Sequence, residues 1–454
     1  METTKKTIAE LNKASEEFSP IREELRSTIS TLNPVELVTP KDVAKVKNGW
    51  IESAEKGIFE NPQFSYNEEL LKDTKGKTEE LQDLQIKLLR LTRETPAKEF
   101  VWGLMYSALN DAIATTALAE SMLAGDDVAS KVAVAIKYGK TEEKNLRLAH
   151  EAAVSIQQRG SVKDPCEKIA FAEEDFNLLK SSKLRAGEIK RMFEWMMNEY
   201  NSNKKWPVEI IEDCSAIDVR DKSSFGHPII AIPADREVSG WKLAELLGHE
   251  IECHWRNSVN SELIGALKGD DELVYEGLAT TKDNRFNKLY LGDNKCPQPY
   301  YILAEELALQ GQSFAEVSSQ IYNMLPSKLK NKARSTWVYT YRTFRGITDT
   351  ANPAGYAFTK DRAYFEGFIY ANELRMRGLN HYLSFGTLSK DHLEKLITLT
   401  DLEDVEKSTI PDKKLQQKAI EKMLKCLRYG SQSTSLAEVK SQVPAVAVPQ
   451  TIYA

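Results

Sequence analysis

Only one short stretch of this chain reads as β-strand, and that limits the fold more than any other feature. Trp206 to Ile211, Ala216 to Arg220 and Pro228 to Ile232 are brief runs rich in β-branched residues, separated by polar breaks. Pro228 and Pro233 flank the third run, the placement expected of an edge strand. Almost everything else carries the apolar periodicity and length of helices. The first 180 or so residues are helical throughout, with Pro34, Pro40, Pro62 and Pro96 as punctuation and Gly125-Asp126-Asp127 as a break. Helices are also predicted over Ala186 to Tyr200, Trp241 to Val259, Glu272 to Leu291, Tyr300 to Leu309, Lys360 to Leu379 and Leu415 to Leu427. The expected class is therefore α+β and predominantly helical, with a small sheet set among many helices.

Composition narrows the function. The 454 residues hold 61 Lys+Arg against 67 Asp+Glu, a net charge of −6. A general nucleic-acid binder needs a basic excess, so no nucleic-acid partner is expected. No apolar run approaches the ~18–20 residues that span a bilayer, and Met1 to Leu11 lacks the apolar core of a signal peptide. A soluble, cytoplasmic protein without a membrane partner is the expectation. Cys166, Cys214, Cys253, Cys296 and Cys426 are scattered, with no CxxC pair, so neither a disulfide framework nor a Cys₄ zinc site is indicated. Three regions follow: a helical N-terminal region over 1–182, a catalytic region over 183–430, and a tail over 431–454 that lacks periodicity and is expected to be flexible.

Histidine is scarce, with six in the chain, yet two lie in His249-Glu250-Ile251-Glu252-Cys253-His254 on a predicted helix. The common zinc-hydrolase helix has its histidines at i and i+4, with Glu after the first. Here the interval is five. On a straight α-helix five steps leave two side chains ~140° apart, whereas four leave them ~40° apart. Both histidines reach one ion only if the helix holds a local extra residue, such as a π-bulge. An undistorted helix would instead pair His249 with Cys253, and thiolate is as good a zinc ligand as imidazole. A third ligand is available in Glu276, 22 residues past His254 on the next predicted helix. Gly277 and Ala279 beside it would permit close helix approach.

His249-Glu250-x-x-x-His254 followed by Glu276-Gly277-Leu278-Ala279 resembles the family named for its QEGLA motif, which includes bacterial proteins described as modulating flavohaemoglobin expression. It also resembles the related eukaryotic microtubule-associated tyrosine carboxypeptidases, which remove the C-terminal tyrosine of α-tubulin. Arg345-Gly346, Asp349, Phe358-Thr359-Lys360-Asp361 and Tyr364 resemble that family's downstream block, and the likeness runs from about Arg185 to Leu379. It implies a zincin-like, gluzincin-type core with an active-site helix, His249, His254 and Glu276 as ligands of Zn2+, and Glu250 as general base. It also decides against Cys253 as a ligand. Two departures stand out: Tyr275 occupies the Gln position of the motif, and Glu252-Cys253 precede the second His.

A carboxypeptidase must hold a free terminal carboxylate, for which Arg or Lys is the natural partner. Arg342, Arg345 and Lys360 are candidates, and the resemblance lifts Arg345 and Lys360 above Arg342. Lys360 and Tyr364 share a helix face at i, i+4, with Tyr364 a candidate oxyanion donor. The strand Pro228 to Ile232 could bind substrate backbone by strand addition. The expected partner is a peptide or protein C-terminus as substrate. Two other readings remain open: a dipeptidyl- or aminopeptidase using the same HExxxH helix, and a non-catalytic regulatory protein with a structural zinc.

Overall fold

The computed structural model describes residues 6–159, 162–163, 172–200, 206–212, 217–220, 228–267, 273–281, 293–294, 299–410 and 415–429. The tail expected over 431–454, together with Cys166, Cys214 and Cys296, lies outside them; of the described cysteines, neither Cys253 nor Cys426 is in a disulfide. Among the described residues helix dominates, with strands confined to three small sheets, so the α+β expectation holds in its coarse form. No described helix is long and apolar enough to cross a membrane.

The longest helix, α1 (Pro96–Ala124), has local sequence reasons for both ends. The Thr95 side chain accepts a hydrogen bond from the Lys98 N–H, and Pro96 occupies the first turn, where no donor is needed. Gly125 ends it with φ +66°, a left-handed conformation that costs glycine little. A new helix starts directly at Asp127, as the break predicts.

The main sheet contains β1 (Val208–Ile211), β2 (Asp218–Arg220) and β3 (Ile229–Pro233), in the order β1-β3-β2. β3 runs parallel to β1 and antiparallel to β2, so it is the central strand and not an edge. The prolines mislead because they sit at its limits. Pro228 precedes the first paired residue and Pro233 closes the strand opposite Ile211, so Ile229 to Ile232 keep their N–H donors for both neighbours. All five residues of β3 are buried. Strand addition at β3 is therefore ruled out, since both its edges are taken. Behind the sheet lies α2 (Ala186–Glu199), whose Met192, Phe193, Met196 and Met197 join Ile230 and Ile232 in one apolar cluster.

After β3 the chain passes through the Glu237–Val238 strand, which pairs with Leu184–Arg185, and enters a long helical rod. Ser239 caps its start by accepting from the Lys242 N–H at 3.1 Å. The rod consists of α3 (Gly240–Leu246), a π-helix over Leu247–Trp255, and α4 (Arg256–Glu262). Its middle is wedged between two cores. Leu247, Ile251 and Trp255 enter the cluster behind the sheet, whereas Cys253 enters a second cluster with Leu104, Met105, Val274 and Leu278. Burial of each large apolar side chain contributes roughly 1.5–3 kcal/mol, so the π segment is clamped on two sides. A third cluster, rich in Trp and Phe, joins the Phe64, Phe314 and Trp337 rings.

Candidate metal centre and adjoining cleft

The π-helix resolves the five-residue interval. Its i to i+5 hydrogen-bond pattern widens the turn, so residues five apart come to the same side. The His249 and His254 rings accordingly meet edge to face, with centroids 4.6 Å apart. Helix α5 (residues 273–281) brings Glu276 against them: Glu276 Oε2 lies 3.8 Å from His249 Nε2 and 4.0 Å from His254 Nε2. One ligand atom from each of the three falls within 4.8 Å of the others. Zinc bonds of ~2.0–2.1 Å in a tetrahedron place ligand atoms about 3.4 Å apart, so small side-chain adjustments complete the geometry. Two imidazoles and a carboxylate are also a donor set that zinc favours. The residues fit a zinc ion. Cys253 stands outside the cluster, since its thiol donates to the Tyr275 carbonyl at 3.6 Å and accepts from Asn257 Nδ2 at 3.5 Å.

Glu250, next to His249, is buried. Tyr275, at the motif's Gln position, stacks on the His254 ring with centroids 3.8 Å apart and planes 19° apart. Burial pushes its phenol well above the usual value, so this tyrosine is a neutral apolar plate beside the imidazole.

What holds Glu276 in place is a crossing of two glycines. α5 meets α6 (Arg362–Met376) at Gly277 and Gly367, whose backbones touch: a methyl on either would overlap the other helix's main chain. The expectation that Gly277 permits close approach is met; its partner Gly367 carries no sequence signal of its own. The crossing sets Tyr364 beside Glu276. The Glu276 carboxylate pushes the Tyr364 phenol up, burial adds to this, and Lys360 and Arg342 oppose it. Lys360 is buried in the 3₁₀ turn Thr359–Asp361 directly ahead of α6, close enough for its charge to act on Tyr364.

The two arginines part company around Asp361. Arg345 is sunk in the protein, with 5% side-chain exposure. Its Nη2 donates to Asp361 Oδ2 at 3.2 Å, its Nε to the Arg342 carbonyl, and its guanidinium covers the Phe358 ring. Arg342 pairs with Asp361 Oδ1 at 2.9 Å and donates to the Tyr301 hydroxyl at 3.1 Å, yet keeps 27% exposure. Asp361 and Tyr301 are thus two members of the site that sequence reasoning passes over. Asp361 stood inside the quoted block without a role. Tyr301 had no signal beyond helical periodicity.

Glu305 lies one turn along from Tyr301 and is buried. Burial pushes its carboxyl well up, Asp361 adds to this and Arg362 opposes it. A carboxyl raised in the folded state favours folding below its unfolded value of about 4.3, and that contribution is lost as pH rises through the folded value. Glu305→Gln, which cannot ionise, is therefore expected to melt higher than wild type at pH 8 and alike at pH 4. Equal melting at both values would contradict a neutral Glu305.

Residues 299–432 match the profile of the family described as "Microtubule-associated tyrosine carboxypeptidase". Over this stretch the chain is related to those carboxypeptidases. The match takes in Tyr301, Arg342, Arg345, Lys360, Asp361 and Tyr364, and begins after His249, His254 and Glu276. No curated protein matches the chain. A solved structure titled "BsuCP Crystal Structure" aligns with 91% of this chain and 99% of its own at 10% identity and a TM-score of 0.33, a likeness that carries no argument.

Proposed function

We propose that this protein is a zinc-dependent metallopeptidase, a carboxypeptidase that removes C-terminal, tyrosine-like residues from peptides or proteins. The observation that carries the reading is the convergence of His249, His254 and Glu276 through a π-helix, with Glu250 buried directly beside the first ligand. The relation to a carboxypeptidase family over residues 299–432 supports the end of the substrate at which it acts.

In this reading His249, His254 and Glu276 hold the ion, which when bound acidifies water and polarises the scissile carbonyl. Glu250 accepts the proton of the attacking water on a carboxylate oxygen and passes it to the leaving amine. Tyr364, neutral because of Glu276 and burial, donates its O–H to the oxygen on which charge develops. Lys360 sets a positive charge beside that phenol. Arg345 serves the substrate side indirectly, by fixing Asp361. Tyr275 keeps the His254 ring in one plane.

Purified protein is expected to carry about one zinc per chain and to release single residues from the C-termini of peptides. Products shortened at the N-terminus would point to an aminopeptidase instead. Metal analysis tests the ligand set: His254→Ala should lose zinc and Cys253→Ala should keep it. The reverse result would replace His254 by the thiol.

A further inference from the structure

We propose that Arg342, and not Arg345, is the residue that takes the terminal carboxylate of the substrate; this rests on the peptidase reading above. Arg342 is half-presented, with 27% exposure against 5% for Arg345. Its guanidinium lies over two rings, 5.2 Å from the Tyr301 centroid and 5.6 Å from that of Tyr364. Tyr364 lies three residues before Gly367, whose backbone touches Gly277 next to Glu276, so the arginine and the candidate metal ligands flank the same helix crossing. A guanidinium has five N–H donors. The hydrogen bond to the Tyr301 hydroxyl engages one of them at Nη1, and Nη2 pairs in charge with Asp361, leaving others for an incoming carboxylate.

The surroundings favour an anion. Tyr301, the ring beneath Arg342, also lines a cavity of about 320 Å³ together with Lys330, Arg334, Val338 and Tyr339. Among the described residues no acidic side chain lines it. Lys328, Lys330, Lys332 and Arg334 put four cations in seven residues of a chain whose net charge is −6. Asp361 has the opposite role. Its two oxygens divide between the arginines, Oδ2 holding the buried Arg345 and Oδ1 the half-buried Arg342. Asp361 is thus a positioning residue, and Arg342 the group that meets substrate.

A carboxylate could come from the chain terminus or from an acidic last side chain, and binding separates the two. Glu250→Gln protein loaded with zinc is titrated calorimetrically with three peptides: a free acid ending in Tyr, its C-terminal amide, and an amide ending in Glu. Turnover is not needed, so the outcome is independent of whether the wild type proves to be a carboxypeptidase. The free acid should bind roughly 10–100-fold more tightly than either amide, the range of charge-assisted hydrogen bonds. Adding Arg342→Gln should erase that preference, and Arg342→Lys, which keeps charge but loses the fork, should restore part of it. Both variants should melt within a few degrees of the parent. Should Arg342→Gln preserve the preference, the assignment fails. It fails equally if the Glu-ended amide binds like the free acid.

Discussion

Glu250→Gln is expected to keep its zinc and its melting temperature and to lose roughly 10²–10⁴ in turnover, the range that a positioned base supplies. The substitution is nearly isosteric at a buried position, and the amide cannot carry the proton of the attacking water. Glu250 is not among the three residues that converge as a candidate metal site, so metal content should be unchanged. Zinc per chain, melting temperature and single-turnover hydrolysis read out the three quantities separately. Wild-type hydrolysis in the variant would remove Glu250 as base. Loss of zinc would instead make it a ligand.

Gly277→Ala and Gly367→Ala should each destabilise the protein by about 2–3 kcal/mol or more, the upper range for overpacking a contact that cannot relax. The atoms a methyl would meet are main-chain atoms of the facing helix, so the helices must part. Glu276 is adjacent to the crossing and Tyr364 lies three residues before Gly367, so separation moves a proposed metal ligand from its partners. Zinc affinity should fall along with melting temperature. Serine at either position should behave like alanine, because the fault is volume and not polarity. A Gly277→Ala protein with wild-type melting and zinc binding would mean the helices do not touch in solution.

Much of this arrangement is legible in the residues, for reasons that differ from element to element. Thr95-Pro96 and Gly125 mark the ends of α1 because caps are local chemistry. The five-residue gap between His249 and His254 demands a distorted helix by angle alone, and the π-helix supplies it. The prolines around β3 misled because a proline's missing donor matters only at the register where it falls, and register is set by a partner strand. The same limit explains the arginines. Arg342 and Arg345 look alike in sequence; what separates them is which oxygen of Asp361 each one faces, a fact of tertiary packing. Gly367 and Tyr301 gained their roles only from what lies opposite them.

The second apolar cluster has a bearing on how this chain could be shortened. Ile8, Leu11 and Leu25 near the start, Leu104 and Met105 in α1, Cys253 in the π-helix and Leu278 in α5 all belong to one core. Cutting the chain at residue 182, or expressing residues 299–432 alone, would not release an independent module. The first cut strips the wall against which the histidine-bearing helix rests, and the second keeps Arg342 and Arg345 while discarding His249, His254 and Glu276. Any ancestor or engineered relative that lost the N-terminal helices would have had to rebuild that wall before it could hold an ion.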